Sequence, residues 1–220
     1  METRKPTLPG RPRGDHDRRR DDIARAAAGT IAERGLQQVT LRDIAAALGV
    51  STGVLTHYFP SKDALVAHTK ALVFDDHLAR AREAASRAEG IERVHAVVAE
   101  LLPTGAARRT SWRLLVAFHG SAIGDDGMRR AHDRRMRTWF TLFTELVAPL
   151  GVADPPATGM AVALFVEGMA IHLAMMHPPR PARWQLAFAR AQVERLVAPA
   201  APRPSPAPPR RRSRPAPPSP

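Results

Sequence analysis

The side chains best suited to chemistry fall between Thr40 and Lys62, in the run TLRDIAAALGVSTGVLTHYFPSK. Arg42 carries a planar fork of donors that matches the acceptor pair on a guanine edge, or a phosphate. Thr52, Thr56, His57 and Tyr58 add hydroxyls and rings of the kind that reach base edges. Gly53 removes a side chain where a backbone can come close to a duplex. Lys62 stands at the start of a helix whose free amides favour a phosphate. This is the chemistry of holding and reading a polyanion, and no bond-breaking constellation accompanies it.

Catalysis and metal binding find no support elsewhere. With no Cys in 220 residues, disulfides, Cys-ligated zinc, iron–sulfur clusters and thiol nucleophiles are excluded. His68 and His77 are nine residues apart, and His172 and His177 five, so neither pair gives the i, i+4 spacing of a helical zinc site. No H-E-x-x-H, G-x-S-x-G or phosphate-cradling glycine loop occurs. The expectation is a non-enzyme without a cofactor or a metal.

The elements that must position the reading groups are legible from local signals. Thr40 and Asp43 form a capping box that opens a short helix over 40–48, and Gly49-Val50 ends it. Ser51 caps a second short helix from Thr52 to Tyr58, which Phe59-Pro60 stops. Two short helices around a Gly-containing turn are a helix-turn-helix pattern, in which the second helix enters the major groove and the first braces it. Val54, Leu55 and Phe59 are expected to face the core. A plain helical hairpin inside a bundle has the same generic pattern, so spacing alone leaves both readings open.

Around this motif every segment has helical periodicity, and no alternating strand pattern appears. A first helix is expected from Asp17 to Arg34, closed by Gly35. Ser61 caps a long helix from Lys62 to about Ala88. A second block follows, with apolar stripes ending at Leu102, around Trp112–His119, from Met136 to Leu150, from Ala157 to Met176, and from Arg183 to Val197. The 157–176 segment is apolar nearly all round, but Glu167, Gly168 and His172 interrupt it. A buried helix is expected there rather than a membrane span.

The net charge of +12 is concentrated at the ends. Residues 1–20 carry seven basic and three acidic side chains, and residues 198–220 carry five Arg and no acid. The second of these stretches also holds ten Pro and no large apolar residue, the composition of an extended chain without a core. Such arms are drawn to polyanions. The N-terminus lacks the apolar run of a secretory signal, so the cytoplasm is the expected compartment. The expected organisation is a basic disordered arm (1–16), a DNA-binding head (17–62), a helical block (63–197) and a Pro/Arg-rich tail (198–220).

The literal sequence narrows the choice. RRDDIARAAAGTIAERGLQQVTLRDIAAALGVSTGVLTHYFPSKDALV resembles the N-terminal domain of the Tet repressor (TetR) family of transcriptional regulators. The order T-x-x-D-I-A, G-V-S-x-G-x-L, Y-F-x-S-K-x-x-L matches over residues 18–66 without a gap. The resemblance implies an all-α protein, with a three-helix helix-turn-helix domain followed by a helical ligand-binding and dimerisation domain. It implies a homodimeric repressor of double-stranded operator DNA, acting at the nucleoid and released by a small-molecule effector. It places Arg42, Thr52, Gly53, Thr56 and His57 in the operator groove, and Thr40, Tyr58 and Lys62 on phosphates, with the cap Ser51 at the same surface. One departure matters: the family commonly has Tyr where this chain has Thr56, which points to a shifted operator preference. The C-terminal half distantly resembles the betaine-pathway repressors, which does not by itself identify a ligand. The alternatives are a regulator without an effector and a non-specific chromosome-associated protein.

In the second block, Trp112, His119, Trp139, Phe143, Phe165, Glu167, Met169 and His172 are candidates for an effector pocket, with Glu167 as counter-ion to a cationic ligand. The same stripes also suit ordinary core. Small residues Ala161, Ala163, Gly168, Ala170 and Ala174, with Trp184, Leu186, Phe188, Val193 and Leu196, can build a dimer seam. The Arg cluster at 129–137 reads as a solvated helix face.

Overall fold

The computed structural model describes residues 13–122 and 126–198. The calls for residues 1–12 of the basic arm and 199–220 of the tail lie outside these. Nine α-helices and no strand occur among the described residues. They are α1 (Arg13–Arg34), α2 (Leu41–Ala47), α3 (Thr52–Tyr58), α4 (Lys62–Ser86), α5 (Gly90–Leu101), α6 (Ala106–Ala122), α7 (Asp126–Val147), α8 (Pro155–Met175) and α9 (Ala182–Leu196). α1 starts four residues before the expected Asp17, so the end of the expected arm is helical.

Local chemistry sets the joints. Gly35 ends α1 at φ +80°, a conformation that costs a Cβ-bearing residue strain, and its amide donates to the Ile31 carbonyl at 2.9 Å. The capping box is formed: the Asp43 amide donates to Thr40 Oγ1 at 3.1 Å, and the Thr40 amide to Asp43 Oδ2 at 2.9 Å. Ser51 Oγ accepts from Val54 N and Ser61 Oγ from Ala64 N, capping α3 and α4 as expected. Asp154 caps α8, and Pro155 and Pro156 follow where helix amides have no partner anyway.

Two apolar cores share the molecule. The first gathers Ile23, Ala27 and Ile31 of α1, Ile44 of α2, Leu55 and Phe59 of the head, and Leu65 and Val66 of α4, and it also takes in Leu114 and Phe118 of α6. The second joins α4, α5, α7, α8 and α9 through residues such as Val98, Leu102, Phe143, Leu146, Val162 and Val193. α7 and α8 pack closely because Gly159 has no side chain. A Cβ there would stand 2.5 Å from the Thr144 backbone nitrogen. α8 is long and apolar enough to cross a membrane by length and composition, yet one of its faces is buried against α6, α7 and α9. Its other face is exposed, at Met160, Leu164 and Met175, and α9 adds exposed Trp184, Leu186 and Phe188 beside it.

Candidate nucleic-acid interface and the cavity behind it

α2, α3 and the turn between them carry most of the groups expected to read DNA. Thr40, Arg42, Ser51, Thr52, Gly53, Thr56 and His57 are exposed, and Tyr58 and Lys62 half-buried. Arg42 makes no ion pair among the described residues, so its donors are free for an anion. Asp43 is occupied: beyond the capping box it accepts from Arg34 Nη1 at 2.5 Å, and its hydrogen bonds with Thr40 hold its pKa below the usual carboxylate value. Thr56 turns its hydroxyl back to the Gly53 carbonyl at 3.1 Å. Lys62 Nζ reaches the Gln37 carbonyl at 3.5 Å, tying the start of α4 to the turn before α2. Tyr58 packs between His57 and His16, with ring centroids 5.1 and 4.9 Å away, so the early start of α1 braces the second helix of the motif.

Val54 corrects an expectation. It is 42% exposed and does not join Leu55 and Phe59 in the core. Within the seven residues of α3 Leu55 is the one buried anchor, with Phe59 at the C-cap, and Val54 is exposed like Gly53 and His57.

Behind the head, α4, α5, α6, α7 and α8 line a cavity of about 60 Å³. Of the eight expected pocket residues, Trp112, His119, Trp139, Phe143 and Glu167 line it. Three do not. Phe165 lies near Phe188 of α9, with centroids 6.5 Å apart; Met169 packs on the second core; His172 is exposed. A helix apolar on all sides gives no stripe from which its inward face can be read.

Sequence reasoning missed apolar lining residues such as Phe74, Leu101 and Met136, and also four polar ones: Lys70 and His77 from α4, His132 and Arg135 from α7. Arg135 belongs to the Arg cluster expected in solvent, but its guanidinium lies over the Phe74 ring, 5.4 Å from the centroid. His119 bridges two groups, with Nδ1 2.7 Å from the Leu115 carbonyl and Nε2 3.2 Å from Glu167 Oε1. The Glu167 contact raises the His119 pKa against the effect of burial. Glu167 lines the cavity as expected, with Oε1 engaged by the protein's own imidazole. Burial lowers the His77 pKa to about 4, and its ring meets Trp112 edge-on at 5.9 Å. Trp112 itself is fixed by Nε1 donating to the Leu101 carbonyl at 2.6 Å. No cluster of three or more potential metal ligands occurs among the described residues.

The expected seam also needs correction. Ala163, Ala170, Ala174 and Val193 are buried within the subunit, and the open face of α8 and α9 is made by larger side chains. Trp184 and Phe188 stack there with centroids 5.1 Å apart.

A capped pair of short helices with exposed donors, carried on a larger helical body, has the form of a helix-turn-helix DNA-binding module. Residues 23–69 match the model of bacterial regulatory proteins of the tetR family, and residues 90–198 that of the C-terminal domain of BetI-type transcriptional repressors. The chain belongs to the tetR family of transcriptional regulators. It is 32% identical over 171 residues to the HTH-type transcriptional regulator PksA of Bacillus subtilis, covering 76% of this chain and 83% of PksA. It is 29% identical over 195 residues to the regulator BetI of Burkholderia thailandensis, covering 86% and 98%. A transcriptional regulator of Saccharomonospora viridis, solved in complex with choline, shares the fold with a TM-score of 0.69 and 21% identity over 81% of this chain and 96% of that one.

Proposed function

We propose that the protein is a homodimeric repressor that reads a pseudo-palindromic operator and lets go when a small molecule fills the cavity. One observation carries this reading: α4 and α6 each belong to both the head and the cavity. α4 gives Leu65 and Val66 to the core of the head, and Lys70, Phe74 and His77 to the cavity wall. α6 gives Leu114 and Phe118 to the head, and Trp112, Leu115 and His119 to the wall. α4 is 25 residues, about 37 Å, so a small tilt at the cavity becomes a displacement at its capped N-terminus.

In the dimer, the exposed faces of α8 and α9 meet their copies across a two-fold axis. Covering Leu164, Met175, Trp184 and Phe188 removes apolar surface from water. The two α3 helices then lie about 34 Å apart, one turn of duplex. Arg42, Thr52 and His57 meet base edges, while Thr40, Tyr58 and Lys62 meet phosphates. An effector releases DNA only through its differential affinity for the two states of the α4–α6 pair.

Selection of bound fragments from random duplexes tests the reading. The expected product is a two-fold symmetric site with half-sites one turn apart, bound much more tightly than scrambled DNA at every salt concentration. Equal affinity for selected and scrambled duplexes identifies a non-specific chromosome-associated protein instead.

A further inference from the structure

The cavity walls are chemically lopsided. Lys70 is 5% exposed, and its Nζ is buried without a hydrogen-bond partner. It lies 5.7 Å from the centroid of the Phe118 ring, a contact that cannot replace a carboxylate. Arg135, half-buried on α7, makes no ion pair among the described residues. Desolvation, and after it the nearby Arg135 charge, weakens the hold of Lys70 on its proton. Glu167 is the one carboxylate in the wall among the described residues, and His119 engages it. His132 and His77 are pushed towards their neutral forms. Asp75, near Arg135, is exposed and lies outside the wall. The remaining wall is aromatic and aliphatic, with Trp139 and Phe143 prominent.

A buried ammonium without a partner is costly to keep, and a ligand that supplies the missing charge relieves that cost. We propose that the cavity takes a small organic anion, its carboxylate meeting Lys70 and Arg135 and its apolar body lying against Trp139 and Phe143. A quaternary ammonium ligand has the wrong charge for these walls, although choline is the ligand in the Saccharomonospora viridis structure. The inference rests on the reading of this cavity as the effector site.

The test uses the full-length protein with three probe classes: propionate, isovalerate and benzoate; their neutral amides; and choline. Melting temperature, tryptophan fluorescence and operator affinity are followed together. The expected result is saturable binding of at least one carboxylate, at least tenfold tighter than its amide, with no response to choline. Lys70→Met, which nearly conserves volume, should bring carboxylate and amide within about twofold of each other; Arg135→Gln serves the same purpose should Lys70→Met fail to fold. Amide and carboxylate binding alike to the unaltered protein, or choline binding more tightly than both, overturns the anion assignment while leaving the cavity as the effector site. A carboxylate preference without loss of operator affinity supports the anion site and overturns the effector reading instead. No saturable binding by any class overturns both.

Discussion

The head and the cavity handle polar groups in opposite ways. In the head, the polar groups at the helix starts are satisfied locally, Thr40 with Asp43, Ser51 with Val54 N and Ser61 with Ala64 N, and His68 Nε2 meets Asp21 at 2.7 Å, although Arg20 Nε is buried without a partner. Around the cavity, Lys70 Nζ and His77 Nε2 are buried without partners. Satisfied caps and a core of Ile, Leu and Phe side chains brace the head, as the proposed base reading requires. Unsatisfied groups leave the cavity region with free energy to gain from a ligand or a rearrangement, which switching requires. The difference fits the proposed division into a rigid reader and a responsive wall.

The largest effect expected from this contrast is acid sensitivity of the cavity region. An unfolded His takes up its proton near pH 6.5 and the buried His77 near pH 4. Between those values the unfolded chain binds more protons, so stability falls as pH falls, by up to about 3 kcal/mol. Asp43 in the head has a lowered pKa, so its contribution is intact above 3.8 and lost only further down. His119, whose pKa is raised, acts in the opposite sense: its contribution is present below 6.5 and lost as pH rises through its folded value. Denaturant unfolding followed by fluorescence from pH 7 to 4 should show the loss, and His77→Leu should flatten it. A slope unchanged by His77→Leu removes this residue as the cause.

Base reading comes next. Arg42→Ala and His57→Ala should each cost about 1–3 kcal/mol on the selected operator and relax preference at one position, read by titration against single-base variants. Lys62→Ala should weaken all sequences alike. Val54, found on the outer side of α3, gives a sharper comparison, because Val54→Ala removes apolar contact without touching the core of the head. Packing of the second block is probed by Gly159→Ala. The new Cβ meets the Thr144 backbone at 2.5 Å, so α7 and α8 must separate, at about 1–3 kcal/mol in thermal unfolding. The smallest effect belongs to the cap: Thr40→Ala should cost about 1 kcal/mol, read as faster amide exchange in α2 with the cavity unaffected.

The same contrast explains what the sequence disclosed. The joints around α2 and α3 depend on neighbours within four residues, so Thr40, Asp43, Ser51 and Ser61 announced them, and α3 runs from Thr52 to Tyr58 as expected. The cavity depends on five helices, α4 to α8, converging from 70 to 167. Periodicity marks Lys70 and Arg135 as polar, hence outward, and only packing turns them towards the cavity. α8 carries apolar residues on every side, which hid that Phe165 and His172 lie away from the cavity. Val54 was misplaced because a seven-residue helix containing Gly53 shows too little of a period to define a face.

The central claim is that cavity and head are coupled through α4 and α6. Ala163 lines the cavity and is 4% exposed, and it lies on α8, which contributes nothing to the core of the head. Ala163→Trp fills the space a ligand would occupy without altering any reading group. Operator affinity of this variant, measured beside the unaltered protein, tests the claim most directly. The account predicts at least a tenfold loss of operator binding while circular dichroism and the dimer persist. A folded, dimeric Ala163→Trp variant that binds its operator as tightly as the parent contradicts it.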